Sequence, residues 1–91
     1  MREIVVTKIG AEWCGPCLKL HENFQSVKDS FERATFNNLD ITDVDPEKMD
    51  LMKSWGVTQV PSIVVQIDGT VKGFIQSSNP DKIITFLTLL I

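Results

Sequence analysis

Apolar residues along this chain fall into two rhythms, short β-branched runs and longer stretches at helical spacing. Residues 3–9 (Glu-Ile-Val-Val-Thr-Lys-Ile) predict a strand that Gly10 ends. From Cys14 to Arg33 the rhythm is helical. Leu20, Phe24, Val27 and Phe31 share one face, with Lys19, Glu22, Lys28 and Glu32 elsewhere. Residues 34–41 predict a second strand. Asp45-Pro46 is a helix start, Asp45 as N-cap and Pro46 at the first helical position; this helix runs to Trp55 and stops at Gly56. Residues 62–67 are almost continuously apolar, as in a strand buried on both faces. Asp68-Gly69 signals a hairpin turn, with 71–75 as the return strand. Asn79-Pro80 repeats the cap-and-proline pattern and opens a last helix over 80–90, which packs through Ile83, Ile84, Phe86, Leu87 and Leu90.

The order β-α-β-α-β-β-α implies an α/β fold: a four-stranded mixed sheet flanked by three helices, both faces covered. Ninety-one residues suffice for a single domain over 1–91. The net charge of −3, with Lys and Arg scattered, excludes binding to nucleic acid through a basic face. The first apolar stretch, Ile4 to Val6, is too short for the core of a signal peptide. No segment approaches the roughly 20 apolar residues that span a bilayer. A soluble, cytoplasmic, monomeric protein is the expectation.

The two cysteines change the picture most. Cys14 and Cys17 are three positions apart, so a bond between them closes almost no loop and is a poor structural staple. In a reducing compartment such a pair is catalytic or metal-binding. It lies where a strand meets a helix N-terminus. The unpaired N–H groups and partial positive charge there favour a thiolate, and a Cys pKa can fall from about 8.5 to about 7 or lower. Cys14, at the helix mouth, is then the attacking thiol. Cys17, one turn further in and more buried, resolves the mixed disulfide. Gly15 and Pro16 set a tight geometry between them, and Trp13 offers a flat apolar contact surface.

Trp13-Cys14-Gly15-Pro16-Cys17 resembles the active-site motif of the thioredoxin family. Gln59-Val60-Pro61-Ser62 is similar to that family's second signature, a cis-proline loop facing the dithiol. Asp45-Pro46, Trp55-Gly56-Val57 and Asp68-Gly69 resemble the segments around that loop. The resemblance covers nearly the whole chain from about Glu3. It implies a cis bond between Val60 and Pro61, and a Val60 backbone that hydrogen-bonds an extended substrate segment. The implied activity is reduction of protein disulfides by dithiol exchange, without a bound cofactor. The implied recycling partner is a flavin-dependent thioredoxin reductase that uses NADPH.

Four departures from the family pattern carry expectations. The chain begins at the central strand, which gives the minimal, glutaredoxin-sized version of the fold. Lys8 stands where the family often has a buried Asp that moves a proton for the second cysteine. Either Lys8 reaches solvent, or it sits near the dithiol and favours thiolate, with water or Glu12 replacing the base. Glu22 replaces a kinking proline, so a straighter helix is expected. Ser77 replaces a groove glycine and adds a polar side chain to the substrate surface.

The residues alone also admit other uses. With His21 one turn beyond Cys17, a Cys-Cys-His zinc site is conceivable but short of the usual four ligands. An iron–sulfur cluster shared between two chains would have two thiolates from each. A glutathione-coupled, glutaredoxin-like reductase suits the length, and a non-catalytic module could hold a partner with the Trp13 and Pro61 surface. Trp55 reads as core, His21 as an exposed helix residue. The carboxylates Asp40, Asp43, Asp45, Glu47 and Asp50 read as a solvated face and a cap.

Overall fold

The computed structural model describes residues 2–91. Strand β1 (Ile4–Gly10) leads into helix α1 (Gly15–Asn23), and α2 (Gln25–Ser30) follows at once. Strand β2 (Thr35–Asp40), helix α3 (Pro46–Ser54), strands β3 (Ser62–Ile67) and β4 (Thr70–Ile75) and helix α4 (Pro80–Leu90) complete the chain. The sheet order is β2-β1-β3-β4. β1 runs parallel to β2 and antiparallel to β3, and β3 pairs antiparallel with β4. The expected mixed sheet is thus observed, with β1 and β3 at its centre.

Alternation along the central strands divides the core. Val6, Ile63, Val65 and Ile67 pack with Leu20, Phe24 and Val27 of the first helical segments and with Ile83 and Leu87 of α4. Ile9 and Val64 face the other way and pack with Ile41, Met52 and Val57. The helices therefore sit as α1, α2 and α4 on one face and α3 on the other. Side chains fully buried in this way are each stabilised by about 1.5–3 kcal/mol of apolar transfer.

Local chemistry explains the element ends. Asp45 caps α3 by accepting from the Glu47 N–H, and Asn79 caps α4 by accepting from those of Asp81 and Lys82. Both helices begin with proline where its missing N–H is harmless. In the hairpin, Asp68 and Gly69 both take positive φ (52° and 83°), as a two-residue turn matching the strand twist requires.

The first helix differs from expectation. It is not one straight helix over 14–33 but is interrupted at Phe24, giving four helices instead of three. The Asn23 amide donates to the Lys19 carbonyl and the Ser26 hydroxyl donates to the Asn23 carbonyl. Phe24 N–H turns to the His21 carbonyl, one residue short of the α-helical partner. Polar side chains competing for helix carbonyls loosen the ladder, even without a proline. Phe24 itself stays buried, edge-on to Phe36 with 5.8 Å between ring centroids.

Candidate active site

The site forms where β1 ends and α1 begins. Cys14 is the N-cap of α1, with extended backbone (φ −106°, ψ 107°) and a Sγ that accepts from the Cys17 N–H at 3.2 Å. The two cysteines are joined as a disulfide, with Cα atoms 5.2 Å apart. This close approach of helix to strand depends on Gly10. A Cβ there would stand 3.3 Å from Cys17 Cβ and 3.6 Å from its Sγ. Gly15 and Pro16 form the exposed outer edge of the first turn.

The expected contrast in burial is not present. Cys14 and Cys17 are 8% and 7% exposed, because the capping geometry turns the Cys14 sulfur inward onto the Cys17 amide. Trp13 takes the exposed position instead, at 59%. Its indole Nε1 donates to the Thr42 carbonyl, and the backbone N–H of Glu12 donates to the Thr42 hydroxyl at 2.8 Å. Thr42 is in turn fixed by Asp40, whose carboxylate accepts from both its N–H and its hydroxyl. Those two bonds, the hydroxyl first, hold the Asp40 carboxyl below its ordinary range. Thr42 thus ties the loop before Cys14 to the end of β2. Sequence reading missed it, although the Asp-x-Thr spacing is a turn-forming pattern.

Val60 and Pro61 are joined by a cis peptide bond, as the resemblance implied. Pro61 is buried and Val60 half-buried. Pro61 and Cys17 line one cleft of about 270 Å³, together with Lys8, Glu12, Leu18, His21, Asp40 and others. Ser77 lies outside that cleft. It is half-buried between β4 and α4, and its hydroxyl accepts from the Asn79 N–H. Trp55 is half-buried against the α3-side core, close to its expected core role.

Lys8 does not reach solvent, the first of its two expected positions. It is buried, at 8% exposure, with Nζ 2.7 Å from His21 Nδ1 and 5.1 Å from the Phe24 ring centroid. Burial first, and nearby Lys28 second, pull its ammonium pKa below the ordinary value. His21 is exposed as expected but is tied to Lys8, a pairing not anticipated.

Cys14 and Cys17 are bonded to each other, and no group of three or more His, Cys, Asp or Glu side chains gathers as a metal site among the described residues. The thioredoxin family model matches residues 1–89. The chain belongs to the thioredoxin family. A thioredoxin from Borreliella burgdorferi is 34% identical over 79 residues, covering 81% of this chain and 64% of that protein. The chloroplastic F-type thioredoxin of Brassica napus is 27% identical over 82 residues, covering 90% of this chain and 43% of that protein. The chain therefore spans less than two thirds of either relative. The crystal structure of mitochondrial thioredoxin 3 from Saccharomyces cerevisiae, in its oxidized form, superposes with a TM-score of 0.80 at 26% identity. That match covers 94% of this chain and 77% of the other. The thioredoxin fold and a disulfide between cysteines three positions apart, at its strand–helix junction, thus occur together here.

Proposed function

We propose that this chain reduces protein disulfides by dithiol exchange. The observation that supports this is the Cys14–Cys17 disulfide at the N-terminus of α1 in a thioredoxin-family chain. In the reduced protein, Cys14 thiolate attacks one sulfur of a substrate disulfide. A bond forms between Cys14 and that sulfur, and the other substrate sulfur leaves as a thiolate that takes up a proton. Cys17 then loses its proton and attacks Cys14. The Cys14–Cys17 bond forms, the mixed disulfide breaks, and the second substrate thiol is released. Two electrons pass from the protein to the substrate.

Trp13, Gly15, Pro16, Val60 and Pro61 would contact the substrate, with the Val60 backbone pairing to an extended segment. Ser77, between β4 and α4, would add its hydroxyl to that surface. A reductase that delivers electrons from NADPH would restore the dithiol, with the protein working as a cytoplasmic monomer. These steps need no bound cofactor. The test is reduction of insulin disulfides in the presence of dithiothreitol, with the Cys14→Ser protein as control. Wild-type acceleration that the variant lacks supports the reading, and equal rates overturn it. A midpoint near about −270 mV fits recycling by a reductase; one near about −200 to −230 mV would assign recycling to glutathione.

A further inference from the structure

Lys8 is the only buried charged side chain among the described residues. Its surroundings do not neutralise it. The one ion pair among those residues joins Lys48 and Asp43 on the surface. An ammonium donates and cannot accept, so its 2.7 Å partner, His21 Nδ1, accepts. With Nδ1 accepting, the imidazole brings no negative charge to the pair. The Phe24 ring adds a favourable cation–π contact but no negative charge. In the disulfide state the molecule therefore holds an uncompensated buried cation, a costly arrangement.

The geometry also says where a compensating charge would arise. Lys8 and Gly10 lie on the same face of β1, two residues apart, and Gly10 is the residue against which Cys17 packs. On α1, Cys17 and His21 are four residues apart and share the stripe that meets this face. Lys8, Cys17 and His21 line one cleft. The other charged groups around Lys8 are Glu12 before α1, Glu22 on α1, Lys28 on α2 and Asp40 on β2. All three acids, Glu12, Glu22 and Asp40, are exposed.

We propose that Lys8, held by His21, is the counter-ion for the Cys17 thiolate that forms when the disulfide opens. This role rests on the dithiol-exchange reading and concerns its second step. Lys8 and His21 act as positioning residues: they favour the charged form of Cys17 and transfer no electrons. Reduction of the disulfide by two electrons with uptake of one proton leaves that proton shared between the two sulfurs. Once Cys14 is bonded to a substrate sulfur, Cys17 releases its proton to solvent, and its thiolate turns the buried lone cation into an ion pair. The reduced state gains what the oxidised state lacks, so the lysine shifts the equilibrium toward the dithiol.

Three measurements test this. In a Cys14→Ser background, Cys17 is the only thiol, and its iodoacetamide alkylation rate against pH reads its ionisation. Adding Lys8→Met should raise the alkylation midpoint by about one unit, a tenfold loss of thiolate near neutrality. Adding His21→Ala should shift it the same way by less. In protein with both cysteines, Lys8→Met should move equilibrium with dithiothreitol toward the disulfide by about tenfold, or about 30 mV. An unmoved alkylation midpoint in Lys8→Met overturns the proposal. Should Lys8→Met fail to fold, NMR of the labelled Lys8 side chain in unmodified protein decides. Lys8 should titrate at higher pH in reduced than in oxidised protein, and equal values overturn the proposal. These readouts need no substrate, so a protein that ionises as described yet fails to reduce insulin would refute the function and leave the ion pair standing.

Discussion

Three helices in this molecule open with a capping side chain and a proline in the first turn, yet they are finished differently. At α3 the Asp45 carboxylate accepts at 2.8 Å, and at α4 the Asn79 amide oxygen accepts at 2.9 Å. Each also carries an acid in its first turn, Glu47 or Asp81. At α1 the cap is sulfur, a weak acceptor, at 3.2 Å, and the first turn has no acid. Two N-termini are thus electrostatically satisfied. The third keeps its partial positive charge, which would favour a sulfur anion at Cys14 once the disulfide opens. The same local device stabilises structure at two helices and, in the function proposed, favours a thiolate at the other.

The largest way to break the comparison is to replace the sulfur cap by a better one. Cys14→Ser should abolish disulfide reduction in the insulin assay. Its urea midpoint, compared with reduced wild type, should stay the same or rise, because serine is among the preferred N-caps. A large loss of stability would show that the sulfur is structurally essential and that α1 is not the weakly finished helix described.

The opposite experiment at a satisfied terminus gives the next effect. Asp45→Ala should cost about 1 kcal/mol in urea unfolding and leave the reduction potential unchanged. Asn79→Ala should do the same at α4. A change in potential from either would mean that the helices do not divide their roles.

These caps were also what made the fold legible. Asp45-Pro46, Asn79-Pro80 and Asp68-Gly69 fix element ends through chemistry local to two or three residues. The boundaries read from them agree with the structure to within a residue. The dithiol was legible for the same reason. What could not be read depends on residues distant in sequence. Thr42 meets Trp13 and Glu12 across 29 and 30 positions, and Lys8 meets His21 only because α1 packs on β1. The interruption at Phe24 arises from a competition between side chains and ladder, in a stretch whose apolar spacing still reads as one helix. The equal burial of the cysteines follows from the inward turn of the cap, which spacing does not encode.

Smaller effects sharpen the picture around α1. Asp40 is held deprotonated to lower pH by Thr42, so its contribution to stability is present at neutral pH and fades as pH falls through the lowered value. Thr42→Val removes the hydroxyl bond and keeps the backbone one. It should raise the Asp40 titration midpoint observed by NMR, move acid unfolding slightly upward in pH, and loosen the loop that carries Trp13. An unmoved Asp40 midpoint would remove Thr42 from this role.

The smallest expected change comes from giving α1 the acid that the other helices have. Nothing lies within 4 Å of a Cβ at Gly15, so Gly15→Asp fits. The new carboxylate should raise the Cys14 ionisation midpoint by a fraction of a pH unit, the equivalent of about 0.3–1 kcal/mol of dipole interaction. Alkylation rates against pH in a Cys17→Ser background would show it, and a downward shift would contradict the electrostatic account of the cap.

The central claim is that Cys14 attacks and Cys17 resolves. Its most direct test is to incubate the Cys17→Ser and Cys14→Ser proteins separately with a disulfide-bonded peptide and map any adduct by mass spectrometry. The account predicts rapid accumulation of a dithiothreitol-sensitive mixed disulfide on Cys14 in the first protein and little adduct in the second. An adduct that forms on Cys17 in the second protein as fast as, or faster than, on Cys14 in the first would contradict it.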